Sequence, residues 1–394
     1  LRQLSALFAI LSSVLVLIAG NGLMNTLVPY RAKLEHFPDQ LIGMIGSAYF
    51  VGMLAGTIIA PRLIRRAGFI RAFAAFTTAS IIAALMFPII LNPLAWMSLR
   101  AIVGFCFAGL YAVIEVWVSN TAEASTRGRT YALYQMVTFG GSAIGQQIFT
   151  LDDAQSFHLF SVGAVFFALA ILPMCFTQSD PPAQPKSLKF QVVWLMKKSP
   201  AGAAAAACIG LCNGSFWSLA AVYGVGVGLS ATQIGTFMTV VVAGSALAVW
   251  PVGRLSDVFE RRKVLLIMVI GAMLSEVVLV ELPASAAGFL PLIGFFLGCF
   301  MFTQYALAVT HSNDRVGPDY ALQVSAGLLF LYCLGAIVGP SLGAALMGQF
   351  GPSMLFVQAA IAHLALAIFI LVRMRDKLAD PPVPRAEAPS APVT

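Results

Sequence analysis

Long apolar runs separated by short polar ones make up almost the whole chain. Each run is about 20 residues, enough for a helix to cross the hydrocarbon of a bilayer. Hydrocarbon offers no partner to backbone N–H and C=O groups, so a helix, which satisfies them internally, is the form such runs take. The pattern predicts twelve spans, over residues 4–29, 40–60, 69–91, 95–119, 130–151, 157–176, 201–225, 232–252, 264–283, 287–311, 320–348 and 352–373. Two stretches break it. Residues 177–200, "TQSDPPAQPKSLKFQVVWLMKKSP", read as a linker with a short amphipathic helix over 187–198 lying on the membrane surface. The end of the chain, "DPPVPRAEAPSAPVT", is proline- and alanine-rich and reads as a disordered tail. The first span is too long for a signal peptide and lacks an A-x-A cleavage site.

Charge then orients the spans. Only 10% of residues are charged and 59% are hydrophobic, against about 25% charged in a soluble domain. Arg62, Arg65, Arg66 and Arg71 follow span 2, and Arg127 and Arg129 follow span 4. Lys186, Lys189, Lys197 and Lys198 lie in the linker; Arg254, Arg261, Arg262 and Lys263 follow span 8. Arg315 follows span 10, and Arg373, Arg375 and Lys377 follow span 12. Alternating spans put all of these on one side and leave Arg31 and Lys33 on the other. The positive-inside rule therefore predicts both termini and the linker in the cytoplasm, with the chain in a bacterial inner membrane. This placement accounts for the net charge of +7 without a nucleic-acid partner.

The two halves repeat. At an offset of 192, Asn21-Gly22 meets Asn213-Gly214, Ile42-Gly43 meets Ile234-Gly235, and Arg62-Leu63 meets Arg254-Leu255. At 194, Gly104 and Tyr111 meet Gly298 and Tyr305, while Gly141 and Gly145 meet Gly335 and Gly339. The expectation is an all-α membrane protein of twelve transmembrane helices in two pseudo-symmetric six-helix bundles. Residues 1–176 form the N-terminal bundle, 177–200 the cytoplasmic linker, 201–376 the C-terminal bundle and 377–394 the tail. Parallel repeats of this kind build transporters with a site near the midplane.

Charged loop motifs carry a resemblance. "PVGRLSDVFERRK", 251–263, holds Gly253, Asp257, Arg261 and Arg262 in the spacing G-x-x-x-D-[RK]-x-G-[RK]-[RK], with Val258 and Glu260 departing from it. The stretch after span 2 keeps Arg66, Gly68 and Arg71 but has Pro61 and Arg65 in place of the glycine and the aspartate. Leu99-Arg100 with Gly104 matches an arginine motif of the fourth span, and Gly335-x-x-x-Gly339-Pro340-x-x-Gly343 a glycine–proline motif of antiporters; span 5 has Gln146 where that motif has proline. In these features the chain, apart from its tail, resembles the major facilitator superfamily. The resemblance implies alternating access around a central cavity, with a cytoplasmic gate made by Arg62, Arg65, Arg66, Arg71, Gly253, Arg254, Asp257, Arg261 and Arg262. It also implies that Asp257 latches with Arg254 and Arg261, against plain topogenic charge as the other reading.

Ionisable residues inside a span are costly and so are candidates for function. At 100° per residue, Tyr111 lies about 20° and Glu115 about 60° from Arg100 on one face of span 4. Fifteen residues separate Arg100 from Glu115, about 22 Å along the axis, so each needs its own partner. Glu115 reads as a protonatable coupling group or cation-recognition group and Arg100 as a gate or substrate anchor; snorkelling to the nearer surface is the alternative for both. By the resemblance, Asn21, Asn25, Gln135, Gln146, Asn213, Trp217, Gln304, Tyr305, His311 and Tyr332 line the cavity, with interhelical hydrogen bonding and packing as their competing roles. Glu276 falls in span 9, a scaffold helix by the resemblance. Cys208 and Cys212 share a helix face, but no His or carboxylate near them in sequence completes a metal site. No H-E-x-x-H or Walker motif occurs, so neither a cofactor nor a metal is expected, and uphill transport must draw on an ion gradient. Gly339-x-Ser341-x-Gly343 lies within an apolar helix and "GVGVG" at 224–228 follows no strand, so neither is a catalytic or phosphate loop.

The function expected is a secondary carrier, proton-coupled, moving a small amphipathic or weakly charged organic solute, with export favoured. Nutrient uptake and lipid movement stay open on the same scaffold. A non-transporting membrane scaffold or assembly factor is the alternative of another class; the retained intramembrane charges favour transport. The expected partners are a small-molecule substrate, protons and membrane lipids, with the protein a monomer.

Overall fold

The computed structural model describes residues 2–121, 127–175, 191–282, 288–317 and 320–375. These form helices joined by short turns: α1 Arg2–Leu34, α2 Asp39–Ala67, α3 Phe69–Met86, α4 Pro93–Thr121, α5 Arg127–Ile148 and α6 His158–Cys175 in the first half. After the short α7, Val192–Lys198, the second half repeats the order with α8 Pro200–Gly226, α9 Ala231–Val258, α10 Arg261–Glu281, α11 Leu290–Met301, α12 Gln304–Val316, α13 Ala321–Phe350 and α14 Met354–Arg375. Among the described residues, eleven segments are long and apolar enough to span a membrane, with α11 and α12 counted as one. The expected span 130–151 is α5, which is helical but carries Gln135, Gln146 and Gln147 and is less apolar than the others. The linker residues 176–190 and the tail from 376 lie outside the described residues.

Local chemistry sets the helix ends. Ser230 and Gln233 form a reciprocal capping box at the start of α9, satisfying two backbone donors that would otherwise be left open. Gly68, at φ +85°, turns the chain sharply from α2 into α3, a conformation that costs a residue with a Cβ. The expected tenth span is two helices: α11 ends at Met301 and α12 starts at Gln304, and Thr303 Oγ1 bonds back to Cys299 O at 3.0 Å and Phe300 O at 3.2 Å. A hydroxyl that competes for these carbonyls loosens the helix there. The amphipathic helix also departs from expectation. Leu195 is fully buried in the notch above Gly327 of α13, and Trp194 rests on Tyr320, so α7 is tucked against the bundle end.

Backbone-to-backbone approach at glycines joins the helices, and it repeats between the halves. A methyl at Gly52 would strike Ala101 O, and one at Gly104 would strike Tyr49 O, so α2 and α4 touch at their backbones. Gly244 and Gly298 do the same for α9 and α11. Gly141 and Gly145 close on Leu15 O and Ala19 O of α1, as Gly335 and Gly339 close on Ala207 O and Leu211 O of α8. With no hydrophobic gain from meeting another helix in lipid, such close van der Waals contact is what drives association.

Among the described residues, the two bundles meet closely at the end away from the Lys/Arg-rich loops. There Ser47 Oγ and Ser341 Oγ are 2.7 Å apart, Gln147 Nε2 donates to Thr239 Oγ1 at 2.7 Å, Gly46 abuts Ser218, and Gly235 abuts Gln146 O. Both basic side chains of this end are neutralised locally: Arg31 by Glu35 at 2.6 Å and Lys33 by Asp39 at 2.5 Å. Arg31 also donates to Ala154 O at 2.9 Å and to Gln155 O, bracing the turn between α5 and α6. Gly140 and Gly253 have no described neighbour where a Cβ would stand.

Two outcomes are expected. Gly104→Ala should cost about 1–3 kcal/mol from overpacking, while Gly140→Ala, facing open space, should be neutral or stabilise by up to about 1 kcal/mol; thermal unfolding in detergent compares them. Ser47→Cys with Ser341→Cys should cross-link under oxidation and hold the closed end shut, detected by mass spectrometry of the bridged peptides.

Candidate functional site

A cavity of about 230 Å³ lies between the bundles, near the middle of the helices that wall it. Its polar groups come from both halves. Asn21 and Asn25 project from α1, Tyr49 from α2, Arg100 and Tyr111 from α4, Trp217 from α8 and Tyr332 from α13. Phe302, at the break between α11 and α12, adds a ring that lies 5.3 Å from that of Trp217.

Among the described residues, Arg100 is the only charged one lining this cavity. Its side chain does not snorkel: it is 3% exposed. Nη1 donates to Asn25 Oδ1 at 3.3 Å, and the guanidinium sits 4.8 Å from the centre of the Tyr49 ring. Nε has no partner among the described residues. A desolvated cation over a ring gains about 2 kcal/mol, whereas burying an ion costs several. The cavity thus carries one under-satisfied positive charge in an aromatic and amide setting. Asn21 Oδ1 is also buried and unpaired. Such a site complements a solute with a flat apolar body and one anionic or strongly accepting group.

Glu115 sits further along α4 toward the basic end, beyond Tyr111. It is accessible to solvent and has no hydrogen bond or ion pair among the described residues. Tyr111 of its own helix, Tyr131 and Tyr134 of α5 and Tyr305 of α12 are titratable side chains near it. Arg100 and Glu115 therefore stand at opposite ends of the wide part of the opening.

The remaining candidates divide between cavity and seam. Asn21, Asn25, Tyr111, Trp217 and Tyr332 line the cavity; Tyr305 packs edge-on to Tyr332 at 5.3 Å. Gln146 is turned into the α1–α5 seam, where it accepts from Thr26 Oγ1 and donates to Gly22 O at 3.2 Å. Gln304 faces α10, donating to Met268 O at 3.4 Å, and Gln135 lies outside the cavity wall. Asn213 is buried beside Tyr332, and His311 is buried near Arg262 and Arg315. Sequence reasoning missed Tyr49 and Phe302. Tyr49 follows a small-residue stretch in span 2 whose meaning appears only when α4 lies against it.

Of the expected latch at 251–263, Asp257, 73% exposed on its side chain, pairs with Arg261 at 3.8 Å, and Arg261 also meets Asp314 of α12 at 2.5 Å. Arg254 stacks over Trp250 at 4.1 Å, and Arg262 pairs with Glu260 at 2.7 Å. These pairs all stay within the second half. Arg62 donates to Ile58 O in its own helix; Arg66 and Arg71 are exposed and Arg65 half-buried.

One buried group is invisible to spacing along the chain. No His or carboxylate lies near Cys208 and Cys212 in sequence, yet the fold brings both: His363 Nδ1 is 3.9 Å from Cys212 Sγ and 2.8 Å from Glu276 Oε2. Helices from three places in the chain meet there, which spacing along one helix cannot reveal. Among the described residues no set of three such donors converges closely enough to hold a metal.

The sequence profile of the Major Facilitator Superfamily matches residues 10–230 and 202–394. A relative, the MFS-type transporter YcaD of Escherichia fergusonii, is 28% identical over 369 residues, 93% of this chain and 94% of its own. The nucleoside transporter NupG superposes with a TM-score of 0.78 at 14% identity, covering 95% of this chain and 99% of that one. A bacterial homologue of the human lysosomal transporter Spinster, in an inward-facing and occupied conformation, gives 0.74 at 15% identity, covering 95% and 97%. The chain belongs to the major facilitator superfamily and is an integral membrane transporter.

Proposed function

We propose that this transporter is a proton-coupled secondary carrier that moves a small amphipathic or weakly charged organic solute by alternating access, in the direction of export. The observation that carries the reading is Arg100: one buried, under-satisfied cation in a cavity walled by Tyr49, Tyr111, Trp217, Phe302 and Tyr332. A single guanidinium suits one anionic or accepting group, whereas a multiply phosphorylated solute would want several basic contacts. The aromatic walls suit an apolar body.

With the Lys/Arg-rich end in the cytoplasm, both termini are cytoplasmic and the conformation described is inward-facing. The Ser47–Ser341 and Gln147–Thr239 contacts would then be the closed outer gate. The loops after α2 and α9 would form the inner gate, which closes when the bundles rock about the cavity. Glu115, solvent-reached on the inward route and close to Tyr111, supports the role of proton acceptor, since a carboxylate in a mostly protein-walled opening can take up a proton without a fixed partner.

Two substitutions test the reading in proteoliposomes, with a panel of organic anions, cations and neutral amphiphiles and an imposed pH gradient. Glu115→Gln should abolish gradient-driven flux while leaving the amount of folded protein unchanged; full coupled flux by this variant would sink the assignment. Arg100→Gln should weaken binding of an anionic solute by about 1.5–3 kcal/mol, a factor of about 10–100, and leave neutral solutes less affected. No gradient-dependent flux of any solute would shift the function to a membrane scaffold.

A further inference from the structure

Away from the central cavity, one cluster has the chemistry to hold a proton. Glu276 of α10 and His363 of α14 are each 0% exposed, with Glu276 Oε2 at 2.8 Å from His363 Nδ1. The other carboxylate oxygen, Oε1, and the other ring nitrogen, Nε2, are buried without a partner. From α8, Cys212 approaches the ring at 3.9 Å, and Cys208, one turn earlier, donates to Ala362 O at 3.3 Å. α11 presents Leu297 and Met301, which do not titrate. Cys208 and Cys212 are thus the other titratable side chains facing the pair among the described residues.

This arrangement is a poor choice for mere glue. A neighbouring seam joins α14 to α8 and α13 with neutral groups, Gln358 Nε2 donating to Ser215 Oγ and to Gly339 O at 3.2 Å each. A buried ionic pair adds little stability over apolar packing, and ionisable groups at this depth mark proton or ion pathways by default. The pair also has a route. A void of about 10 Å³ borders Glu276, Cys212 and Phe216, about the room that one water needs. The Phe216 ring lies 5.6 Å from that of Trp217 and 5.7 Å from that of Phe302, and these two line the central cavity. One layer of rings separates the pair from the cavity, and Phe302 stands at the break between α11 and α12.

We propose that Glu276 and His363 form a proton-binding site, loaded from the central cavity past Phe216 and Phe302. The proposal rests on the proton-coupled reading above and adds a second protonatable position to Glu115. In the unloaded state the pair is a carboxylate beside a neutral imidazole, of total charge −1. A hydronium ion arriving from the cavity gives up one proton and leaves as water, and the pair becomes neutral overall, its proton shared between Oε2 and Nδ1. The neutral state is the one that tolerates a dry, ring-sealed surrounding, because an unbalanced buried charge costs several kcal/mol. The anionic state needs water to reach it. Wetting through the aromatic layer therefore controls release.

Infrared difference spectroscopy of the purified protein in lipid, titrated from about pH 5 to about pH 8, tests this without any solute. The expected result is a pH-dependent carboxyl band with a deuterium shift that Glu276→Gln removes and His363→Asn moves to a different midpoint, while Glu115→Gln leaves it in place. Phe216→Ala should speed its deuterium exchange. A spectrum unchanged by Glu276→Gln, with His363→Asn folded and equally silent, would overturn the proposal and make the pair a fixed bridge. Because this readout needs no transport, a failure of Glu276 to titrate is distinguishable from a failure of proton-driven flux in proteoliposomes.

Discussion

Contact between helix backbones at glycine is what the rest of this structure depends on. In lipid the apolar faces gain nothing by leaving hydrocarbon for one another, so the helices must approach closely enough for dense van der Waals contact. Gly52 and Gly104 let α2 and α4 meet, and Gly244 and Gly298 let α9 and α11 meet in the same way. The α1–α5 and α8–α13 seams follow the same rule through Gly141, Gly145, Gly335 and Gly339. Each half is thereby a packed unit whose cavity-facing side chains have a fixed frame.

That frame makes the polar groups between the halves effective. Arg100 stays buried because Tyr49 and Asn25, on two other helices, are held against it. Its Nε–H has no acceptor among the described residues, so the resting site is incompletely satisfied, and a bound solute can gain from completing it. The same economy explains Gln146, whose amide is spent within the α1–α5 seam and is not offered to a solute. An amide in a span is therefore a site residue or a seam residue according to which neighbour reaches it first.

The contacts between halves combine close glycine approach, Gly43 on Pro340 O and Gly235 on Gln146 O, with small polar side-chain pairs. Ser47 with Ser341 and Gln147 with Thr239 are small polar pairs at one end, where a few hydrogen bonds of about 1 kcal/mol each can be made and broken. The seams within a half involve backbone atoms over several turns and do not have this property. The knot at 251–263 is bound within its own half by the Arg261–Asp314 pair.

Much of this was legible in the chain itself. Run length determined the helices, because a backbone in hydrocarbon has no other way to satisfy its polar groups. The glycines recurring at near-constant offset determined the two-fold repeat, and Arg100, Tyr111, Asn21, Asn25, Trp217 and Tyr332 were recognisable as cavity candidates from their rarity or their place on a helix face. The tertiary structure alone decided which end is closed, that Arg261 meets Asp314 as well as Asp257, that Tyr49 shields Arg100, and that Glu276 finds His363. Each of these depends on side chains brought together from helices far apart in the chain. Helical periodicity fixes the direction a residue faces on its own helix, but not which other helix stands opposite it.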